Sequence, residues 1–313
     1  MNSRRITDGA LMLAIYIVLL LITVYIPFIS LISMFFMVFP FLYYSSKYSL
    51  KYSVILFIGS CIITAIFSNV TFITFTVVYG TVGIAMGYCI SKKKSFFTVY
   101  VVSSLVFLVD IVVYYVVSIV FFHFNFIKDS ENLTLQSIHQ YARVYNALGQ
   151  KDAYTKLEET VTAAIKMLDT VFPSALLIMS FATVLLFMAV SFPIARRLGV
   201  SIPQWKPFRE FQLPRNIIWY YLFTYILLWV LKPSPGTFLY MAIVNLVFLS
   251  QLLMILQGLS FIFFIAYRQK WPKAVPVMIT IFSFWLSPVS ELVSLLGVAD
   301  LGLNLRKLIE KKL

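Results

Sequence analysis

From Phe96 to Phe122 the chain runs through one apolar stretch in which Asp110 is the sole charged side chain. About 20 such residues carry a helix across the hydrocarbon core of a bilayer. Comparable stretches recur at Gly9–Tyr25, Phe28–Tyr44, Leu50–Phe67, Val70–Ile90, Pro173–Ala195, Ile217–Leu231, Phe238–Tyr267 and Ala274–Leu296. In hydrocarbon a backbone must satisfy its own hydrogen bonds, so runs of this kind read as helices. The expectation is an all-α, polytopic helical membrane protein of about nine transmembrane segments. Composition agrees, with 61% hydrophobic and 12% charged residues, where soluble domains hold about 45–50% and about 25%. That balance excludes a soluble enzyme, a disordered chain and a nucleic-acid binder. The bilayer itself is the first partner.

The few charges are not scattered. Lys and Arg total 25 against 12 acids, a net charge of +13. Residues 123–170 are nearly neutral, with Lys128, Arg143, Lys151, Lys156 and Lys166 facing six acidic side chains. The excess lies in short loops: Arg4/Arg5, Lys47/Lys51, Lys92–Lys94, Arg196 through Arg215, and Arg268/Lys270/Lys273. If segments alternate, all of these fall on one face, which the positive-inside rule makes cytoplasmic. The amino terminus is then cytoplasmic and the insert 123–170 extracytoplasmic. Arg4 and Arg5 precede an apolar run without a small-residue cleavage site, so the first segment reads as a retained helix. Nine crossings leave the basic tail, with Arg306 and Lys307, on the wrong side. Pro276 and Pro288 bracket the last segment, 274–296, which either spans or re-enters.

The insert carries helical periodicity twice. Leu135, Ile138, Tyr141, Tyr145 and Leu148 precede Gly149, and Tyr154, Leu157, Val161, Ile165 and Leu168 follow Asp152, a candidate N-cap. These predict an amphipathic helical hairpin whose second arm runs into the span at Pro173. A second polar junction, Arg196–Asn216, holds Pro203, Pro207 and Pro214 and divides six hydrophobic segments from three. The expected domains are 1–197, insert included, and 198–313.

Catalytic signatures are missing: no HExxH, no GxSxG and no Gly-rich phosphate loop. Nothing implies a cofactor or a resident metal. His123 and His139 form either a sparse metal pair or ordinary hydrogen bonds within the insert. Cys61 and Cys89 sit inside apolar runs and read as small hydrophobes. Asp110 and Glu291 are the ionisable groups deep in apolar segments. A carboxylate at the middle of a span costs about 2.5–3.5 kcal/mol on insertion scales, so Asp110 should face the bundle interior. It is either a polar contact of a ligand pocket, with Tyr114 one turn away, or a helix–helix hydrogen bond. Asn69 and Thr74 mark the outer end of the fourth segment, at the depth of an outward-facing pocket. Asn245, Gln251 and Gln257 read as helix-linking amides, and Gly80, Gly83 and Gly87 as a close-contact face.

The amino-terminal two-thirds resembles the substrate-binding S-component of energy-coupling factor vitamin transporters. The resemblance rests on the Ala10/Ala14 pair, the short Pro-containing second segment, "KYSLKYSVILFIGS" (Lys47–Ser60) and "VYGTVGIAMGYCISKKK" (Val78–Lys94). It implies a six-span bundle that binds a small molecule near the outer side and meets an energising or coupling membrane protein through Ala10 and Ala14. It also makes Asp110, Tyr114, Asn69 and Thr74 the candidate ligand-binding residues. The whole chain resembles the YybS family of bacterial membrane proteins through "QGLSFIFFIAYRQKWPKAVPV" (Gln257–Val277) and "GVADLGLNLRK" (Gly297–Lys307). That resemblance implies a multi-pass protein of the bacterial cytoplasmic membrane. Three functions follow in order: small-molecule binding linked to transport, a scaffold that docks partner proteins, and, third, a membrane-embedded enzyme.

Overall fold

The computed structural model describes residues 2–148 and 150–311. Gly149, the expected end of the first hairpin helix, lies outside the described residues. All nine apolar stretches are helical. In order the helices are α1 (Asn2–Tyr25), α2 (Pro27–Phe36), α3 (Phe39–Lys47), α4 (Leu50–Phe67), α5 (Val70–Ser91), α6 (Phe96–Phe122), α7 (Phe126–Ala147) and α8 (Lys151–Arg197). After a short 3-10 turn at Phe208–Glu210 come α9 (Ile217–Leu231), α10 (Phe238–Arg268), α11 (Ala274–Trp285), α12 (Ser287–Leu303) and α13 (Leu305–Lys311).

Seven helices, or eight if α11 and α12 count as one span, are long and apolar enough to cross a membrane among the described residues. The second apolar stretch is broken at Met37–Val38 rather than at its proline, because Pro40 sits in the first turn of α3, where it is tolerated. The 15 residues of α9 extend about 22 Å at 1.5 Å per residue, short of the about 30 Å hydrocarbon core. Between α11 and α12 the chain bends by 116°. Leu286 is extended there, and Pro288 occupies the first turn of α12. Glu291 is exposed in the second turn of α12, near the end of a helix that favours an acid. The hairpin of the insert is formed by α7 and by α8, which continues without a break through Pro173 to Arg197. Asp152 stands in the first turn of α8, and Gln150 supplies the capping carbonyl to Tyr154 N.

Contacts group the chain into two units. Unit 1 comprises Met1–Ser137 and Leu176–Trp205, and unit 2 comprises Ile138–Ala175 and Lys206–Leu313. The boundary at 205/206 falls within the Pro-rich junction, and most of the insert groups with unit 2.

In unit 1 the shortest helix is the most enclosed: every residue of α3 from Phe39 to Ser45 is buried. Its neighbour α5 approaches through glycines. A Cβ at Gly83 would stand 2.7 Å from Val38 O, and one at Gly87 would collide with Ser45 and Leu42. The small-residue face expected of Gly80, Gly83 and Gly87 therefore divides: Gly83 and Gly87 make the α3–α5 contact, while Gly80 makes room for the Phe57 ring of α4. A third contact is polar. Tyr16 Oη lies 2.7 Å from Thr64 Oγ1 and 2.6 Å from Thr76 Oγ1, and the two threonines are 2.9 Å apart. This buried triangle ties α1, α4 and α5 together.

Unit 2 is organised around α10. Gly258 and Gly297 let α10 and α12 touch backbone to backbone, since a Cβ at either would fall on Val293 O or Met254 O. The three amides of α10 each link helices. Gln251 accepts from Tyr225 Oη at 2.7 Å and donates to Ser294 Oγ at 3.3 Å. Asn245 does more. Pro173 disturbs the α8 ladder, and the Asn245 amide bonds both groups that one helical step would pair: its Oδ1 accepts from Ser174 N at 2.8 Å, and its Nδ2 donates to Thr170 O at 2.6 Å. Replacing Asn245 with Leu leaves both buried backbone groups without that partner, and should lower stability by about 1–3 kcal/mol. Denaturant titration of the full chain in mild detergent measures the loss, which should exceed the average intramembrane hydrogen bond of about 0.6 kcal/mol.

Candidate functional site

Along α5 the glycines give way, toward its amino-terminal end, to Thr74, Phe75, Val78 and Tyr79. These side chains are too large for a backbone contact, and a cleft of about 220 Å³ opens there within unit 1. Leu31, Met34 and Phe35 of α2 form one wall, and Phe107, Ile111 and Tyr114 of α6, at helical spacing, form another. Thr183 and Phe187 of α8 complete it. Phe187 is the hub: its ring meets Phe35 at 6.0 Å, Tyr79 at 5.7 Å and Phe107 at 5.8 Å, two of these edge-on. Such pairs add about 0.5–1.5 kcal/mol each beyond burial, so this aromatic floor is pre-formed.

The candidate residues divide. Thr74 and Tyr114 both line the cleft. Asp110 does not; its Oδ2 accepts from Thr81 Oγ1 at 2.5 Å, which joins α6 to α5. Asn69 also stands outside the wall, where its Oδ1 accepts from Phe72 N at 3.4 Å in the first turn of α5. Ala10 and Ala14 are exposed on the face of α1 opposite Met12, Tyr16 and Leu20, which are buried. His139 Nδ1 lies 3.1 Å from Tyr154 Oη within the hairpin. Among the described residues no group of three or more metal-ligating side chains occurs.

Two features escaped sequence reasoning. Tyr79 is 6% exposed and lines the cleft, and among the described residues its hydroxyl has no hydrogen-bond partner. Its place in "VYG" marks only a helix, and nothing in that local pattern reveals an unpaired hydroxyl. The second feature lies in unit 2. Asp300 is fully buried, and its Oδ2 accepts from Arg306 Nε at 2.9 Å and from Gln257 Nε2 at 2.6 Å. Arg306 also donates to Arg209 O at 2.8 Å and to Ser260 Oγ at 3.1 Å. Ser260 in turn bonds the carbonyls of Phe208 or Phe211, and Gln257 Oε1 accepts from Leu213 N at 2.9 Å. The Pro-rich junction is thus fastened to α10 and α12 by a charged network. The signal for it was a spacing of six between an acid and a base across a helix end, too common to single out.

A family model described as "Predicted membrane protein (DUF2232)" matches residues 14–301. Protein YybS of Bacillus subtilis (strain 168), itself described as uncharacterized, is 27% identical over 307 residues, which is 97% of this chain and 98% of that protein. No solved structure matches. The family match takes in every residue of the cleft together with Gln257 and Asp300, while Arg306 lies beyond its end at residue 301.

Removing one partner of a buried ion pair strands the other. Arg306→Ala should destabilise the chain by about 3–5 kcal/mol and free the junction, read as faster proteolysis at 206–214. Asp300→Asn with Arg306→Met should recover much of that loss, because no charge is then left unpaired.

Proposed function

The chain belongs to the DUF2232 family of predicted membrane proteins, and on that premise we propose that it takes a small, largely apolar molecule into the unit 1 cleft as a step in its transport. The observation that carries this reading is the aromatic cleft around Phe187, into whose wall Tyr79 brings a hydroxyl that no described residue satisfies. Pockets for small molecules are mostly apolar, with a few polar groups that fix orientation. Tyr79, Thr74 and Tyr114 fill that role here, and their hydroxyls favour a ligand with one or two acceptors or donors on an apolar or aromatic frame. Asp110 acts at a distance, by holding α6 against α5 through Thr81.

The resemblance to S-components supports the same reading. So does the exposure of Ala10 and Ala14, which leaves a small-residue face on α1 for an energising membrane protein. In this reading the protein sits in the bacterial cytoplasmic membrane with its amino terminus inside, and it binds rather than transforms its ligand. A scaffold role has one observation in its favour: the Asp300–Arg306 network fastens the Pro-rich junction to α10 and α12, which would present it to a partner.

A thermal-shift screen of the full chain against vitamins and aromatic metabolites tests the binding reading. A stabilising compound should lose about tenfold in affinity on Tyr79→Phe or Tyr114→Ala, equivalent to about 1.4 kcal/mol for a lost contact. Ala14→Leu should leave that affinity unchanged. A folded protein that no compound stabilises, or hits indifferent to Tyr79 and Tyr114, would exclude this cleft as the binding site.

A further inference from the structure

A second cleft of unit 1, of about 200 Å³, lies between the first turn of α6 and the last turns of α8. The chain closes it by reversing direction. Gly199, with φ of 82°, ends α8 in the left-handed conformation that favours glycine. Val200 N then bonds Ala195 O at 3.0 Å, and buried Val200 and Ile202 anchor the returning segment. Trp205 arrives over Phe96 with ring centroids 4.5 Å apart, and Phe96 meets Phe192 edge-on at 6.0 Å. Met188 and Phe192 make the interior apolar, while Arg196 stands on its lining. Trp205 lines the cleft and nevertheless remains 52% exposed.

The same end of unit 1 gathers basic turns from distant parts of the chain. Tyr48 Oη donates to Asp8 at 2.8 Å, and Arg5 lies over the Tyr52 ring at 3.6 Å, which sets the start of α1 against the α3–α4 turn. Gly87 seats the last turns of α5 on α3, and Lys92–Lys94 follow. Several of these cations are engaged: Arg5 with Tyr52, Lys47 with Tyr43 and Lys92 with Tyr88. Arg196 is exposed, and among the described residues its guanidinium has no acidic, carbonyl or aromatic partner.

An apolar slot, a half-exposed indole and an unengaged guanidinium at one end match a single kind of ligand. A free phosphate would leave the apolar wall unused, and a zwitterionic lipid would set its own cation beside Arg196. We propose that this cleft binds an anionic phospholipid, with an acyl chain along Met188 and Phe192 and the phosphate on Arg196. Guanidinium and phosphate pair in bidentate fashion, and basic pockets between membrane helices suit such headgroups. The lipid then fastens the amino-terminal turn of α6 to the segment after Gly199.

Trp205 is a built-in reporter. In a variant with Trp219, Trp229, Trp271 and Trp285 replaced by Phe, its fluorescence is followed in phosphatidylcholine vesicles containing brominated phosphatidylglycerol or brominated phosphatidylcholine as a minor component. Half-maximal quenching should need about fivefold less of the anionic lipid, the preference expected of one basic group at the surface. Arg196→Gln should abolish that preference, and Arg4→Gln, the same charge change away from the cleft, should retain it. Equal quenching by both lipids overturns the proposal, as does equal loss in both variants, which would mean a diffuse field. Quenching by neither lipid also overturns it and would indicate a protein, such as a second copy, over the cleft. Competition by inorganic phosphate would reassign the site to free anions. On the unaltered chain, native mass spectrometry should show phosphatidylglycerol adducts that Arg196→Gln sheds; their absence overturns the proposal whatever the fate of the Phe variant.

Discussion

A polar group surrounded by hydrocarbon has no water to bond, so it must find its partner inside the protein. That constraint governs how these helices meet. Asn245 makes it visible: Pro173 disturbs the α8 ladder, and a single amide from α10 answers both Ser174 N and Thr170 O. Gln251 and Gln257 repeat the device farther along the same helix, toward α9 and α12 and toward the junction. In unit 1 the Tyr16–Thr64–Thr76 triangle performs the same office for three helices with hydroxyls alone. Each bond is modest in energy. Their geometry nevertheless favours one rotation of each of these helices, because turning Asn245, Gln251, Gln257 or Tyr16 away would strand the groups they now pair.

Dispersion sets the distances between helices. Without a hydrophobic effect to press helices together, contact surface must come from close approach, which small residues permit. Glycines bring α5 onto α3 and α10 onto α12. Where the glycines of α5 stop, the spacing must widen to admit Thr74, Phe75, Val78 and Tyr79, and the cleft around Phe187 is the result. Tight contact and open cleft are two halves of one helix. Asp110, which bonds Thr81 at this transition, fixes where α6 lies relative to both.

Much of the fold was legible in the sequence. Long apolar runs, basic turns and the two periodicities of the insert identify the helices and the hairpin, since each signal is local. The bend between α11 and α12 could be suspected from Pro276 and Pro288, yet Leu286 and the first turn of α12 decide its 116° angle. The candidate site was legible in halves. Thr74 and Tyr114 meet in the cleft, while Asn69 caps the first turn of its own helix and Asp110 joins α6 to α5. Tyr79 went unseen because an unsatisfied hydroxyl is a property of its neighbours. Asp300 and Arg306 went unseen because each looks like an ordinary charge near a helix end until Gln257 and Ser260 are brought alongside.

The sequence by itself determined that this chain is a helical membrane protein, because hydrophobicity and length act one segment at a time. It also marked which loops carry positive charge and which residues are small enough for close contact. Only the tertiary structure decided which polar side chains are spoken for and which remain open. Asp110 is bonded, while among the described residues the Tyr79 hydroxyl has no partner; Arg306 is locked to Asp300, and Arg196 lines an apolar slot. The reason is that hydrogen bonding and ion pairing are relations between segments far apart in sequence. In a medium without water, those relations separate a residue that holds the fold from one free to hold a ligand.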